Sequence, residues 1–273
     1  MTISFKNINI YFEHISEFDW QRKSIIFLHG FTGSANDWKN VATNFNKRFN
    51  KVAIDLIGHG KSSSPANIEF YKIDSVVEQI EEVINYLRIK EFILCGYSMG
   101  GRVALSYAVK KPNIVKGLIL ESSSSGIKKI KEREVRKKND DELAEYILNN
   151  PIEDFINKWL DQEIFGTIRR FSNEKIKRIK EEKTKNSRIG LANSLRGFGT
   201  GIMPYLDKEL KRLNIPVLLL SGQLDSKFTK LNVELNKLIP KSKHVSIQSA
   251  GHNIHLEEPR KFIKAVNKYL TIF

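Results

Sequence analysis

A chain of 273 residues, 41% apolar and 28% charged, has the length and composition of one folded α/β domain with an insertion. Lys and Arg number 45 against 31 Asp and Glu, a formal charge of +14. That surplus fits a Lys-rich solvated surface or attraction of a small polyanionic substrate; nucleic-acid binding is disfavoured, because no binding motif or aromatic-interleaved basic stripe accompanies it. No basic-plus-apolar leader and no membrane-length apolar run occurs, and the lone Cys95 can form no internal disulfide, so a cytoplasmic protein is expected.

Residues Thr2 to Phe12 alternate apolar and polar, as an edge strand or hairpin arm does. Ser24 to Leu28 is a short apolar run typical of a buried strand. It runs into His29-Gly30-Phe31-Thr32-Gly33-Ser34, a glycine-bearing loop whose amides can point at a ligand. Ala35 to Phe49 carries Trp38, Val41, Ala42 and Phe45 at helical spacing. Lys51 to Asp55 is the next strand, followed by a turn through Gly58-His59-Gly60 and an exposed serine loop at 62–64. Asp74 to Leu87 repeats apolar residues every three or four positions and predicts a helix.

Phe92-Ile93-Leu94-Cys95 then leads into Gly96-Tyr97-Ser98-Met99-Gly100, with a helical pattern from Arg102 to Lys110 ended by Pro112. Strand, sharp turn and helix is the setting in which G-x-S-x-G marks a nucleophile elbow. Glycines on both flanks let the turn tighten, and the Met99 amide opens a helix, aimed at any oxyanion forming nearby. Val115 to Leu120 is a further strand. From Glu121 to about Tyr205 no strand pattern occurs, and charged helical runs read as Ile127–Leu148, Ile152–Leu160 and a stretch around Asn173–Arg196. The sheet resumes at Pro216–Ser221 and Lys243–Ile247, with helices at Lys230–Ile239 and Glu257–Leu270. Strands alternating with helices predict an α/β fold with a mostly parallel central sheet and helices on both faces. The expected division is a core of 1–121 and 206–273 and a helical cap of 122–205.

Ser98, Asp225 and His252 each lie in a loop directly after a predicted strand. In a parallel sheet those loops leave one edge, so the three groups can converge. A serine hydroxyl is weak at neutral pH, needs an imidazole to take its proton, and the imidazole needs a carboxylate to fix its tautomer. His255, Asp161 and Asp207 compete for these roles with poorer context, and His29, His59 and His244 read as structural. No His, Cys, Asp or Glu cluster has metal-ligand spacing, and neither metal nor cofactor is expected.

These residues carry a family resemblance that covers nearly the whole chain. Fold and triad order resemble the α/β-hydrolase superfamily. More closely, the chain is similar to the menaquinone-pathway 2-succinyl-6-hydroxy-2,4-cyclohexadiene-1-carboxylate synthases. The matching stretches are His29–Ser34 with Asp37-Trp38, Gly96–Ala104, Leu118–Ser122, Glu132-Arg133 with Arg136, Trp159, Leu195–Gly201, Asp225–Phe228, and Gly251-His252 with His255.

The resemblance implies a lyase that needs no hydrolysis. Such enzymes eliminate pyruvate from 2-succinyl-5-enolpyruvyl-6-hydroxy-3-cyclohexene-1-carboxylate. It implies Ser98, Asp225 and His252 as catalytic residues and the amides of Phe31 and Met99 as the oxyanion hole. It further implies that Tyr97, Arg102, Arg136 and Trp159 contact the substrate, with Lys183, or its neighbour Lys185, at a third cationic cap position usually held by Arg. Where the family has D-L-P-G-H-G this chain has Asp55-Leu56-Ile57-Gly58-His59-Gly60, which loses a proline and no reactive group. The expected partner is a small, multiply carboxylated molecule, with no nucleic acid or membrane, bound by a monomer or small homo-oligomer. A serine hydrolase of esters or C–C bonds is the alternative enzyme, and a non-catalytic binder is the alternative outside enzymes.

Overall fold

The computed structural model describes all 273 residues. Eight strands form one sheet in the order β1-β2-β4-β3-β5-β6-β7-β8. Their ranges are β1 Thr2–Phe5, β2 Ile8–His14, β3 Lys23–Leu28, β4 Phe49–Ile54, β5 Phe92–Tyr97, β6 Val115–Glu121, β7 Val217–Gly222 and β8 Ser242–Ile247. β3 to β8 run parallel, while the β1–β2 hairpin joins antiparallel along β4. Lys6 and Asn7, at the hairpin tip, both take positive φ, as a two-residue turn between twisted strands requires.

The apolar runs follow from burial on both faces. β4, β5 and β7 are buried at every position, as parallel strands under helices are. Successive side chains point to opposite faces. Ile26, Leu28, Leu94, Leu118, Leu120 and Leu219 therefore enter one core layer, while Ile25, Phe27, Ile93, Cys95, Ile119 and Leu220 enter the other. β8, at the open edge, is mostly half-exposed and carries Lys243, which discourages further strand pairing.

Helices α1 (Lys39–Ala42), α2 (Ile73–Tyr86) and α3 (Met99–Lys110) connect the first strands. The single helix expected over Ala35–Phe49 is shorter than its pattern. A 3₁₀ turn, Ala35–Trp38, opens on a Ser34–Asp37 capping box, α1 adds one turn, and Phe49 already belongs to β4. Thr43 and Asn44 turn their side chains onto the carbonyls of Lys39 and Asn40, a local competition that ends helices.

Between β6 and β7 lie α4 (Ile130–Asn149), α5 (Ile152–Leu160), a 3₁₀ run Glu163–Arg170, α6 (Asn173–Thr184), α7 (Arg188–Phe198) and α8 (Asp207–Leu210). The 3₁₀ run was not legible in the periodicity. Neither was the break between α6 and α7. Its cause is Asn186, whose side chain donates to Thr32 O and accepts from Gly60 N. Ser187 then caps α7 by accepting from Gly190 N. Helices α4, α5 and α7 share a separate apolar cluster with the 3₁₀ run, built on Ile147, Phe155, Phe165 and Leu191. α9 (Ser226–Leu238), α10 (Ile254–Glu257) and α11 (Pro259–Leu270) complete the chain.

Asn186 is 7% exposed and its amide meets two separate loops of the sheet edge. Asn186→Ala leaves the Gly60 amide and the Thr32 carbonyl without partners, so the unfolding free energy is expected to fall by about 1–3 kcal/mol, read as a lower urea midpoint with an unchanged m-value.

Candidate active site

β5 ends at Tyr97 and α3 begins at Met99, so Ser98 alone makes the corner. Its φ of 50° and ψ of −106° are conformations a side-chain-bearing residue rarely adopts, at a cost of roughly 1–3 kcal/mol. A Cβ on Gly100 would lie 2.3 Å from the Leu28 carbonyl oxygen and 2.5 Å from that of His29. Glycine there lets the elbow seat against the end of β3. The corner is held by Ser98 N donating to Glu121 O at 2.8 Å.

Asp225 follows β7 and caps α9, where Oδ1 accepts from Phe228 N at 3.1 Å. Its Oδ2 lies 2.7 Å from His252 Nδ1, and His252 Nε2 lies 3.1 Å from Ser98 Oγ. Asp225 is 8% and His252 2% exposed. Phe228, Tyr97 and Phe165 surround the imidazole at ring-centroid distances of 4.6, 5.4 and 5.9 Å. With Asp225 accepting at Nδ1, Nε2 is left free to take a proton from the hydroxyl.

Phe31 and Met99 line the same cleft as Ser98, and the backbone amides of both are free. Phe31 N, in the loop after β3, donates to no protein acceptor. Met99 N is the first of α3 and has no intrahelical partner. Such free N–H groups are what a developing oxyanion requires.

Above Ser98 a cleft of about 60 Å³ is walled by Phe31, Met99, Arg102, Arg136, Trp159 and Leu195, among others. Trp159, from α5, packs edge-on against Phe31 at 5.0 Å. Arg102, one turn along α3 from Ser98, has no carboxylate partner; its Nε reaches only Met203 Sδ at 3.4 Å. Burial, and after it the charge of Arg136, pushes the Arg102 guanidinium down to about 10. Arg136, on α4, is held from behind by Asp140, whose Oδ1 takes Nε at 2.8 Å. The cleft therefore presents two guanidinium groups backed by a single carboxylate.

A family pattern described as the alpha/beta hydrolase fold matches residues 23–259. A Bacillus subtilis protein, provisionally named 2-succinyl-6-hydroxy-2,4-cyclohexadiene-1-carboxylate synthase, is 37% identical over 91% of this chain and 90% of its own. The chain belongs to this synthase family of the α/β hydrolases. A Serratia proteamaculans relative of the same name is 28% identical over 92% of this chain and 94% of its own. Among solved structures, MenH from S. aureus superposes with a TM-score of 0.89 at 32% identity, over 96% of this chain and 97% of that one. An esterase from Thermogutta terrifontis, 24% identical with a TM-score of 0.83 over 99% and 96% of the two chains, shares the fold.

Two of the binding residues that family membership suggests stand apart from the cleft wall. Tyr97, 6% exposed, points into the core layer beneath and packs against His252 and His255. Burial first, then the charges of Glu121, Glu257, Asp37 and Asp225, raises its phenol well above the ordinary value. Lys183 is half-buried near the end of α6, and its charge reaches the buried His29 and His59. Lys185 pairs with Glu182 at the surface.

The three histidines read as structural have partners of their own: His29 Nε2 accepts from Leu56 N, His59 Nδ1 bonds Ile57 O, and His244 bonds Ser221. Asp161 and Asp207 are engaged by Arg169 and Tyr205. Asp140 was not picked out from sequence. Its signal was the spacing: of the acids Asp140-Asp141-Glu142, Asp140 lies four residues after Arg136, which puts both on one helix face.

Asp225→Asn keeps the shape but presents an amide to Nδ1, favouring the wrong tautomer. Covalent labelling of Ser98 by a fluorophosphonate is expected to slow by roughly 10³–10⁴-fold, with the fold retained.

Proposed function

We propose that this chain eliminates pyruvate from 2-succinyl-5-enolpyruvyl-6-hydroxy-3-cyclohexene-1-carboxylate, giving 2-succinyl-6-hydroxy-2,4-cyclohexadiene-1-carboxylate on the route to menaquinone. The observation that carries this reading beyond a generic serine hydrolase is the cleft charge. Two guanidiniums beside one reactive hydroxyl, with no carboxylate in direct contact with Arg102, suit a substrate carrying several carboxylates. A neutral ester would leave Arg102 uncompensated.

In the reaction His252, oriented by Asp225, takes the Ser98 proton. The Ser98 oxygen removes the ring C–H next to the succinyl ketone. The electron pair left behind forms an enolate, whose oxygen the Phe31 and Met99 amides stabilise by roughly 3–4 kcal/mol each. That pair then moves through the ring: the 3-ene shifts to the 2-position, a second double bond forms at the 4-position, and the carbon–oxygen bond at the 5-position breaks. Enolpyruvate leaves as the enolate of pyruvate and takes up the proton that His252 had accepted, which gives pyruvate and restores the free imidazole beside the reprotonated Ser98. No bond to Ser98 forms, and no water is consumed.

Arg102 and Arg136 anchor carboxylates and Trp159 shapes the pocket, while Tyr97 supports His252 from the layer beneath and Lys183 adds positive charge from α6. We assign residues 122–205 as a cap over a core of 1–121 and 206–273. A cleft of about 60 Å³ is far smaller than the several hundred that a ligand of this size fills. The cap therefore withdraws to admit substrate and closes to exclude water. No helix is long and apolar enough to cross a membrane. We place the reaction in the cytoplasm, where the unpaired thiol of Cys95 is at home.

Two outcomes test the scheme. Ser98→Ala is expected to abolish pyruvate release, followed by coupled lactate dehydrogenase, while substrate still binds in calorimetry. Arg102→Ala is expected to cost about 2–5 kcal/mol in kcat/KM, mostly through KM. Rapid release from Ser98→Ala contradicts the base assignment.

A further inference from the structure

One buried ionisable pair beside Ser98 takes no part in that chemistry. Glu121 closes β6 with no exposure, and His255 lies in α10 at 4%. Both carboxylate oxygens are taken by that one residue: His255 N donates to Oε1 at 3.0 Å, and His255 Nδ1 lies 2.7 Å from Oε2. Trp38 stacks on the imidazole at 4.4 Å and 23°. The main chain of the same glutamate is also committed, because its carbonyl accepts from Ser98 N at 2.8 Å. One residue thus grips the elbow through its backbone and the His252 segment through its side chain.

A second carboxylate grips that segment from the other side. Glu257 Oε2 accepts from Gly251 N at 2.7 Å and Oε1 from Asn253 N at 3.1 Å, so the amides flanking His252 are both bound. Tyr97 fills the space between the two imidazoles, with ring centroids 5.4 Å from His252 and 5.1 Å from His255.

The need for this follows from topology. Ser98 follows β5 and His252 follows β8, with β6 and β7 between them. Their 3.1 Å contact spans that distance and must hold to about half an ångström to work. Burying a carboxylate costs several kcal/mol unless its oxygens are satisfied, and an apolar side chain would fill the same space without that cost. Packing alone therefore does not account for Glu121.

We propose that Glu121 is a positioning residue for the reaction. With His255 it forms a second carboxylate–imidazole pair that locks the His252 backbone to the nucleophile elbow, and Glu257 completes the clamp. The inference rests on the reading of His252 as the base serving Ser98. It does not depend on which substrate the cleft takes. Glu121 touches neither the hydroxyl nor the substrate, so its loss should lower kcat and leave KM in place.

The test uses two readouts on the full chain. Glu121→Gln keeps the size and one oxygen for His255 N but loses the carboxylate. It is expected to lower kcat for pyruvate release about 10–100-fold with KM within about twofold, since small misplacements at a reacting centre cost on this scale. Fluorophosphonate labelling of Ser98 is expected to slow by the same factor. His255→Gln, which still offers an N–H to the carboxylate, is expected to stay within about fivefold of the parent, the scale of one hydrogen bond. His255→Leu is expected to fall as far as Glu121→Gln.

Labelling needs no knowledge of the natural substrate. A parent protein that labels fast but releases no pyruvate would overturn the substrate assignment, and labelling of the variants would still decide the clamp. Unchanged kcat and labelling in soluble Glu121→Gln, or a rise in KM alone, would overturn it. Should that variant not fold, the half-buried Glu257→Gln decides: slower labelling by about threefold or more supports the clamp, and parental labelling refutes it.

Discussion

Everything the site can do depends on one imidazole held between a hydroxyl and a carboxylate in a place water barely reaches. His252 meets Asp225 at 2.7 Å and Ser98 at 3.1 Å, under three aromatic rings. None of the three groups is near another in sequence. They meet because β5, β7 and β8 are parallel and discharge their loops at one edge. Low dielectric strengthens the two hydrogen bonds, and it makes any error in their geometry expensive. The strained Ser98 corner and the glycine beneath it are the local cost of bringing the hydroxyl to the rim.

The same hydroxyl, imidazole and carboxylate serve esterases of this fold, so the relay cannot by itself select an elimination. On the proposed reading, selection comes from the roof. Arg102 faces the cleft with no carboxylate in direct contact, and Arg136 is aimed by Asp140. Burial first, and the charge of Arg136 after it, make a charged Arg102 costly, as its depressed guanidinium shows. A ligand bringing its own carboxylates removes that cost on binding. Its binding energy is then available to hold the ring C–H over the Ser98 oxygen.

Much of this was legible from residue order because burial constrains sequence most tightly in the parallel strands. The runs at 24–28, 92–95 and 216–221 had to be continuous and apolar, and the glycines around Ser98 had to be small. What escaped was set by distant partners. Asn186 breaks a helix because its amide is used by loops more than a hundred residues away. The 3₁₀ run at 163–170 is shaped by packing of Phe165 and Ile168 rather than by local pattern. Tyr97 adjoins the reactive serine in sequence, yet the strand's alternation sends it to the layer below. Glu121 read only as the residue after a strand, and its contact with a residue 134 positions later reveals its use.

Counting pyruvate released during turnover of the enolpyruvyl substrate, while recording the intact mass of the protein in the same sample, probes the central claim most directly. The account predicts one pyruvate for each cyclohexadiene formed and a protein whose mass never changes. A covalent adduct on Ser98 that rises and decays with turnover, or diene formation without pyruvate, would contradict it.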